Sequence, residues 1–249
     1  MALSSDAEQV KVKQIIEHNK RFWAQRNLKF KDWFRLLILI DELATRGMET
    51  YVSNEPQTFY NMAHFLTTTG ELSHLTPVAD ESPLALDKRA KLHRGCESMW
   101  RQVDRSRRAG GEQPFIDEMS FYLLILGWYT MSMLFDKESG LLRPQIWSPY
   151  DTYPMYGNGR MNTVVHSYPV TIKEAELKAK QNGWEYTPGF SNGDGNVIID
   201  DFFVMEDEKL WNMILISSKD VTGWIERPDM KIMAAPVAGF PDRGSLSNT

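Results

Sequence analysis

Val12, Ile15, Ile16, Phe22 and Trp23, with Asn19 among them, recur at helical spacing. They predict an amphipathic helix over residues 6–26. A basic join of Lys29, Lys31 and Arg35 leads to a second helix over about 32–51. There Trp33, Leu36, Leu37, Ile40, Leu43, Ala44 and Met48 share one broad face. Ser53-Asn54-Glu55-Pro56 places a proline in a first helical turn and predicts a helix start, with Gly70 as its stop. Residues 71–81 read as irregular or extended. Ser82-Pro83 repeats the start signal ahead of a long helix over about 83–108, which Gly110-Gly111 breaks. A strongly apolar helix over about 114–127 carries Phe115, Met119, Tyr122, Leu123 and Leu126.

After Gly127 the period shortens. The runs Trp128–Phe135 and Leu141–Trp147 flank Asp136-Lys137-Glu138-Ser139-Gly140, which predicts a hairpin with glycine in its turn. A proline-locked aromatic loop from Trp147 then reaches Gly157-Asn158-Gly159. A β-branched strand over Thr163–Val170 follows. Thr171-Ile172-Lys173-Glu174 matches a capping box, and Asn182-Gly183 ends the helix it starts. The last third reads as strands: Asn196–Met205 and Lys209–Ser217 around the acidic turn Glu206-Asp207-Glu208, then Val221–Ile225 and Lys231–Met233. The expected fold class is α+β, with N-terminal helices followed by a β-rich region of hairpins and one short capped helix. Residues 1–127 form the helical part and 128–249 the β-rich part of one continuous unit.

The chain has 249 residues, enough for one large domain or two small ones, and 42% hydrophobic content supports a core. Eight Trp residues are many for this length. Trp is enriched at protein contacts, although ordinary core positions account for it equally well. The net charge of -5 is unevenly placed: residues 1–150 hold 19 Lys+Arg and 19 Asp+Glu, residues 151–249 hold 9 and 14. No chain-wide basic footprint for gripping nucleic acid exists, while an acidic wall suits a surface that DNA slides past. Cys96 is the lone cysteine, which fits a reducing compartment. No apolar run approaches the roughly 20 residues of a membrane span, so a soluble protein made in the cytosol is expected.

Candidate chemistry is sparse. Asp200, Asp201, Glu206, Asp207 and Glu208 could serve a metal-dependent nuclease only if they converged. Adjacent strand residues point to opposite faces, so a solvated turn is the better reading. Asn192, Asp194 and Asn196 match the first three ligands of a calcium loop, but Val197 and Phe203 stand where Gly and Glu are needed, leaving a Gly-rich turn. His93-x-x-Cys96 falls short of a zinc site. No P-loop and no nucleophile elbow occurs. The basic helix over 83–108 is the one polyanion-like surface, with Arg101, Arg105, Arg107 and Arg108 towards its end. A salt-bridged solvated face, a subunit contact and a DNA contact all remain open for it.

Several passages occur in the order found in the portal proteins of tailed bacteriophages. NKRFWAQRNLKFKDWFRLLILIDEL resembles the entry to the portal wing, and SNEPQTFYNMAHFL the helix after it. WSPYDTYPMYG is similar to the portals' Asp-Pro/Tyr-Pro loop. VVHSYPVTIKEAELKAKQNGW resembles the strand and capped helix that follow. VIIDDFFVMED and LWNMILIS resemble the β-rich arm, and MAAPVAGFPDRGS the passage before the stem. The resemblance spans nearly the whole chain, and the order of the passages carries it. Portals continue into stem, clip and crown, so this chain resembles a wing-containing N-terminal half.

The resemblance implies a non-enzymatic virion subunit, assembled in the host cytoplasm into a closed ring of about twelve copies at a capsid vertex. Such a ring is a conduit for double-stranded DNA in packaging and ejection. Its implied partners are the major capsid protein, the terminase motor and a head–tail adaptor. No cofactor, metal or membrane is implied. Candidate subunit-interface or polyanion-facing residues are Arg101, Arg105, Arg107, Arg108, Trp33, Trp147 and Tyr153. The alternative readings are another head or tail interaction protein and, third, a metal-dependent nucleic-acid enzyme.

Overall fold

The structure is a computed structural model that describes residues 5–41, 44–69, 82–137, 140–157, 160–188 and 195–236. The fold is mixed α+β, N-terminal helices preceding a β-rich region. The described residues form two compact units. The first comprises residues within Met1–Phe30 and Trp147–Ala234, the second residues within Lys31–Ile146 together with the end of the last strand.

The first unit is built on an antiparallel sheet: β3 (Thr152–Gly157), β4 (Arg160–Thr171), β5 (Asn196–Glu206), β6 (Lys209–Ile216) and β7 (Lys219–Asp220), side by side in that order. A short β8 (Ile225–Glu226) also pairs with β6. Both faces of the central strands are buried. On one, Val12 and Ile16 of α1 (Asp6–Phe22) pack with Val165, Phe202, Met213 and Leu215. On the other, Ala175 of α6 (Ile172–Asn182) packs with Val170, Val197, Ile199, Ile214 and Ile216. Burial on both sides is why β5 and β6 read as near-continuous apolar runs. Thr171 caps α6 by accepting from the Glu174 backbone N–H, and Gly183 closes it at φ 68°.

The sequence expectation misplaces the boundaries of the first two helices. The chain breaks at Trp23, and α2 (Ala24–Leu37) runs straight through the basic stretch expected to be a join. Lys and Arg are good helix formers, and buried Arg26 and Phe30 anchor this helix from one side. The helix expected to reach residue 51 stops at Leu37. Leu39 takes a left-handed φ of 57°, the Leu39 N–H donates to Leu36 O, and the Ile40 N–H donates to Arg35 O. This is a Schellman closure with leucine where glycine is usual. A short 3-10 turn, Ala44–Arg46, follows.

The aromatic loop after Trp147 is also more regular than expected. A 3-10 turn, Pro149–Asp151, leads directly into β3, where Pro154 lies opposite Val164. An edge strand tolerates proline because one side of its backbone needs no ladder partner. Of the expected strand over 221–225 only β8 forms. The Asp220 carboxylate accepts from the Thr222 and Gly223 N–H groups at 3.0 and 2.8 Å, which curls the backbone away from the ladder.

In the second unit α3 (Glu55–Thr69), α4 (Pro83–Ala109) and α5 (Phe115–Leu126) form close to the expected ranges; Ser82 caps α4, and the expected stop of α3 at Gly70 lies outside the described residues. Asp104 of α4 accepts from the first N–H of α5 at 2.9 Å, and Arg107 pairs with Glu118. Gly127, left-handed at φ 61°, ends α5 and turns the chain into β1 (Trp128–Asp136). The change from helix to strand near residue 127 therefore falls inside this unit. β1 pairs with β2 (Leu141–Trp147), and the end of the last strand, β9 (Met230–Pro236), belongs to this unit. Val103, Phe115, Met131 and Ile146 form the core. The expected irregular stretch 71–81, the Asn158-Gly159 turn, most of the Gly-rich turn at 192–196 and the Pro-rich passage after residue 236 lie outside the described residues.

Candidate functional site

The segment from Trp147 to Gly157 is held by its backbone. Side chains of α1, of α2 and of Trp23 between them donate in turn to its carbonyls. Arg26 Nη2 reaches Pro149 O and Thr152 O, both at 2.8 Å. Asn27 Nδ2 reaches Tyr150 O at 2.9 Å, and Trp23 Nε1 reaches Pro154 O at 2.6 Å. Asn19 donates to Tyr153 O and to Thr163 Oγ1. The Arg26 guanidinium also lies over the Trp23 ring at 4.6 Å. Burial pulls its pKa down to about 9, which leaves it charged at neutral pH. A peptide segment without regular pairing on both sides must satisfy its carbonyls somehow. Here α1 and the start of α2 do so, and the backbone shape of 149–154 is thereby dictated. Periodicity exposes Trp23 and Asn19 as helix-face residues, but nothing in it reveals them as carbonyl donors.

Asp200 and Asp201 point to opposite faces of β5. Asp200 faces α1, where Lys20 Nζ donates to its Oδ1 at 2.7 Å and its side chain is 8% exposed. It is therefore a buried ion-pair partner, which corrects the solvated-turn reading for this residue. Glu206, Asp207 and Glu208 are exposed, as that reading has it. Asp201 faces the other way, its Oδ2 3.8 Å from His166 Nδ1. Trp147 stacks on the His166 ring at 4.3 Å with the planes 4° apart, and His166 meets Tyr168 at 4.7 Å. Burial raises the Tyr168 phenol well above its ordinary value, the Asp201 and Glu174 charges adding to the effect. Burial also raises the Asp151 carboxyl, against the attraction of His166 and a hydrogen bond from Ser148. Carboxylates on opposite faces cannot share a metal ion, and among the described residues no group of three His, Cys, Asp or Glu is placed to hold one.

The other candidate residues divide. Trp147 is 6% exposed and belongs to the core of the first unit, so it does not offer its ring to an outside partner. Tyr153 is half-buried against the α1 face of the sheet. Trp33 is half-buried, and all eight Trp residues are buried or half-buried, which favours the core explanation of their number. Arg107 is absorbed internally by Glu118, Glu112 and Gln113 O. Arg101, Arg105 and Arg108 are exposed on α4.

The exposed apolar surface comes from residues that periodicity assigns to helix faces, without saying which faces are covered. α3 has no buried residue. Tyr60 and His64 turn towards Phe121 and Asp117 of α5. On the far side Phe59, Met62, Phe65 and Leu66 are 58–69% exposed. Together they offer roughly 400 Å² of apolar surface, the size of the largest patch on an ordinary monomer. Phe34, Leu36, Ile38, Ile40 and Tyr51 of the same unit are exposed as well. Among the described residues no helix is long and apolar enough to cross a membrane. No protein-family model matches this sequence, and no curated protein matches it.

Proposed function

We propose that the chain is a structural subunit of a tailed-phage portal ring, set at the capsid vertex as the conduit for double-stranded DNA and joining head to tail. The observation that carries this reading is the apolar outer face of α3. A helix that leaves two phenylalanines, a methionine and a leucine in water offers an apolar contact surface, and in this reading copies of the same chain cover it in a head-to-tail ring. The ordered passages resembling portals supply the kind of ring. The arrangement of carboxylates adds support: Asp200 and Asp201 face apart, which suits a mechanical part better than a nuclease. In this reading the capsid protein, the packaging motor and a tail adaptor contact the ring, and DNA passes through it without being gripped. Electron microscopy of the purified chain at micromolar concentration tests it. Rings with a central hole are expected; monodisperse particles of single-chain size would overturn it.

A further inference from the structure

Arg94, Arg101, Arg105 and Arg108 lie along one line of α4. At about 100° per residue they fall within a stripe about 60° wide and about 21 Å long. Ser98 and Gln102 sit between them and, with Arg94, Glu97, Arg101 and Arg105, line an open groove on this face. Of the carboxylates on this helix, Glu97 shares the groove with its Oε1 3.4 Å from His93 Nε2, Asp87 pairs with Lys91 at 2.7 Å, and Asp104 caps α5. Among the described residues no carboxylate lies within ion-pair distance of Arg101, Arg105 or Arg108.

The chain also carries an uncompensated charge of opposite sign. Glu206, Asp207 and Glu208 form the tip of the β5–β6 hairpin, with Glu206 opposite Lys209. Asp207 and Glu208 both take left-handed φ values, 48° and 61°. Such a two-residue turn ordinarily selects Asn-Gly; here it holds two carboxylates in water. Lys209 is occupied by Glu226 at 3.3 Å, and among the described residues no cation pairs with the tip. The hairpin tip gathers three carboxylates, and Arg101 and Arg105 lie about 6 Å apart along the helix axis.

Resting on the ring reading above, we propose that the arginine stripe of α4 is the docking surface for the Glu206–Glu208 tip of a neighbouring copy. Two different surfaces of one chain meet, which is the head-to-tail geometry a ring requires. Opposite charges set the register and suppress wrong pairings.

Charge reversal tests this. One variant combines Arg101→Glu with Arg105→Glu, the other Asp207→Lys with Glu208→Lys. Each alone is expected to raise the assembly midpoint, read by mass photometry at low salt, at least about tenfold. An equimolar mixture restores assembly, because each variant then meets its complement on the other, and this rescue also shows that both are folded. Assembly of either variant at the wild-type midpoint overturns the inference and leaves the ring standing. Loss in both without rescue by mixing overturns it too. A wild-type chain that never assembles removes the ring reading and this contact together. If the arginine variant assembles normally but no longer binds a double-stranded DNA oligonucleotide that the wild type binds, the stripe is a nucleic-acid surface instead.

Discussion

Replacing Lys20 by Met would test whether Asp200 is a structural or a reactive carboxylate. The Lys20 ammonium donates to Asp200 at 2.7 Å, with side chains 30% and 8% exposed. Methionine keeps the length and apolar stem of lysine and removes the charge. The carboxylate then faces Ile16 and Leu215 across a groove it shares with them, without its cation. Stranding a buried charge costs about 3–5 kcal/mol. The partial exposure of Lys20 lets water replace some of the loss, so about 2–3 kcal/mol is expected here. Adding Asp200→Val removes the stranded charge and places a β-branched residue beside Leu215 and opposite Ser167. The double variant should recover most of the loss, giving a coupling energy of about 2 kcal/mol. Urea unfolding followed by tryptophan fluorescence reads these differences through the midpoint at constant slope. If Lys20→Met unfolds within about 0.5 kcal/mol of wild type, or the double variant is as unstable as the two losses summed, the ion-pair account is wrong.

Leu39→Gly should stabilise the end of α2 by about 0.5–1 kcal/mol, since glycine takes the left-handed conformation without steric cost; thermal unfolding would show a higher midpoint, and a lower one would deny the Schellman closure. Asp151→Asn should stabilise the chain at pH 7 and leave it unchanged near pH 3. Burial raises the Asp151 carboxyl above its ordinary value, so the native state holds its proton longer than the unfolded one, and stability falls as pH rises through that window. Stability curves for the two proteins that stay parallel from pH 3 to 7 would contradict this. Thr171→Ala should cost about 1 kcal/mol by removing the acceptor for the Glu174 N–H, measured by urea unfolding; no change would mean that water caps α6 equally well.

Where the chain announces its own punctuation, structure follows sequence closely. Ser82-Pro83, Gly127, Thr171 and Gly183 each mark a helix end that the structure contains. The failures lie where a tertiary contact overrides a local signal. Trp23 interrupts two helices without glycine or proline, its indole donating to Pro154 O across 131 positions of sequence. Leu39 occupies a glycine's conformation and so gives no warning that α2 ends. Pro154 argues against a strand unless the strand is known to be an edge, and edges are a property of the finished sheet. The candidate site was legible in part. Opposed aspartates follow from the strand period alone. The partners of Asp200 and Arg107 do not, because Lys20 lies 180 positions from its carboxylate and Glu118 sits on the next helix. Nor does sequence distinguish the covered face of α3 from the bare one.

The central claim is that the bare face of α3 is covered by another copy of the chain. Sedimentation velocity of the wild type beside a Phe59→Ser, Phe65→Ser variant, at equal concentration, addresses it most directly. The two phenylalanines expose roughly 250 Å², so the variant forfeits up to about 6 kcal/mol of burial at each contact, and less in the isolated chain, where about a third of each residue is covered. The account predicts a discrete large oligomer for the wild type and a folded monomer for the variant. A wild-type monomer, or two proteins with the same sedimentation coefficient, would contradict it.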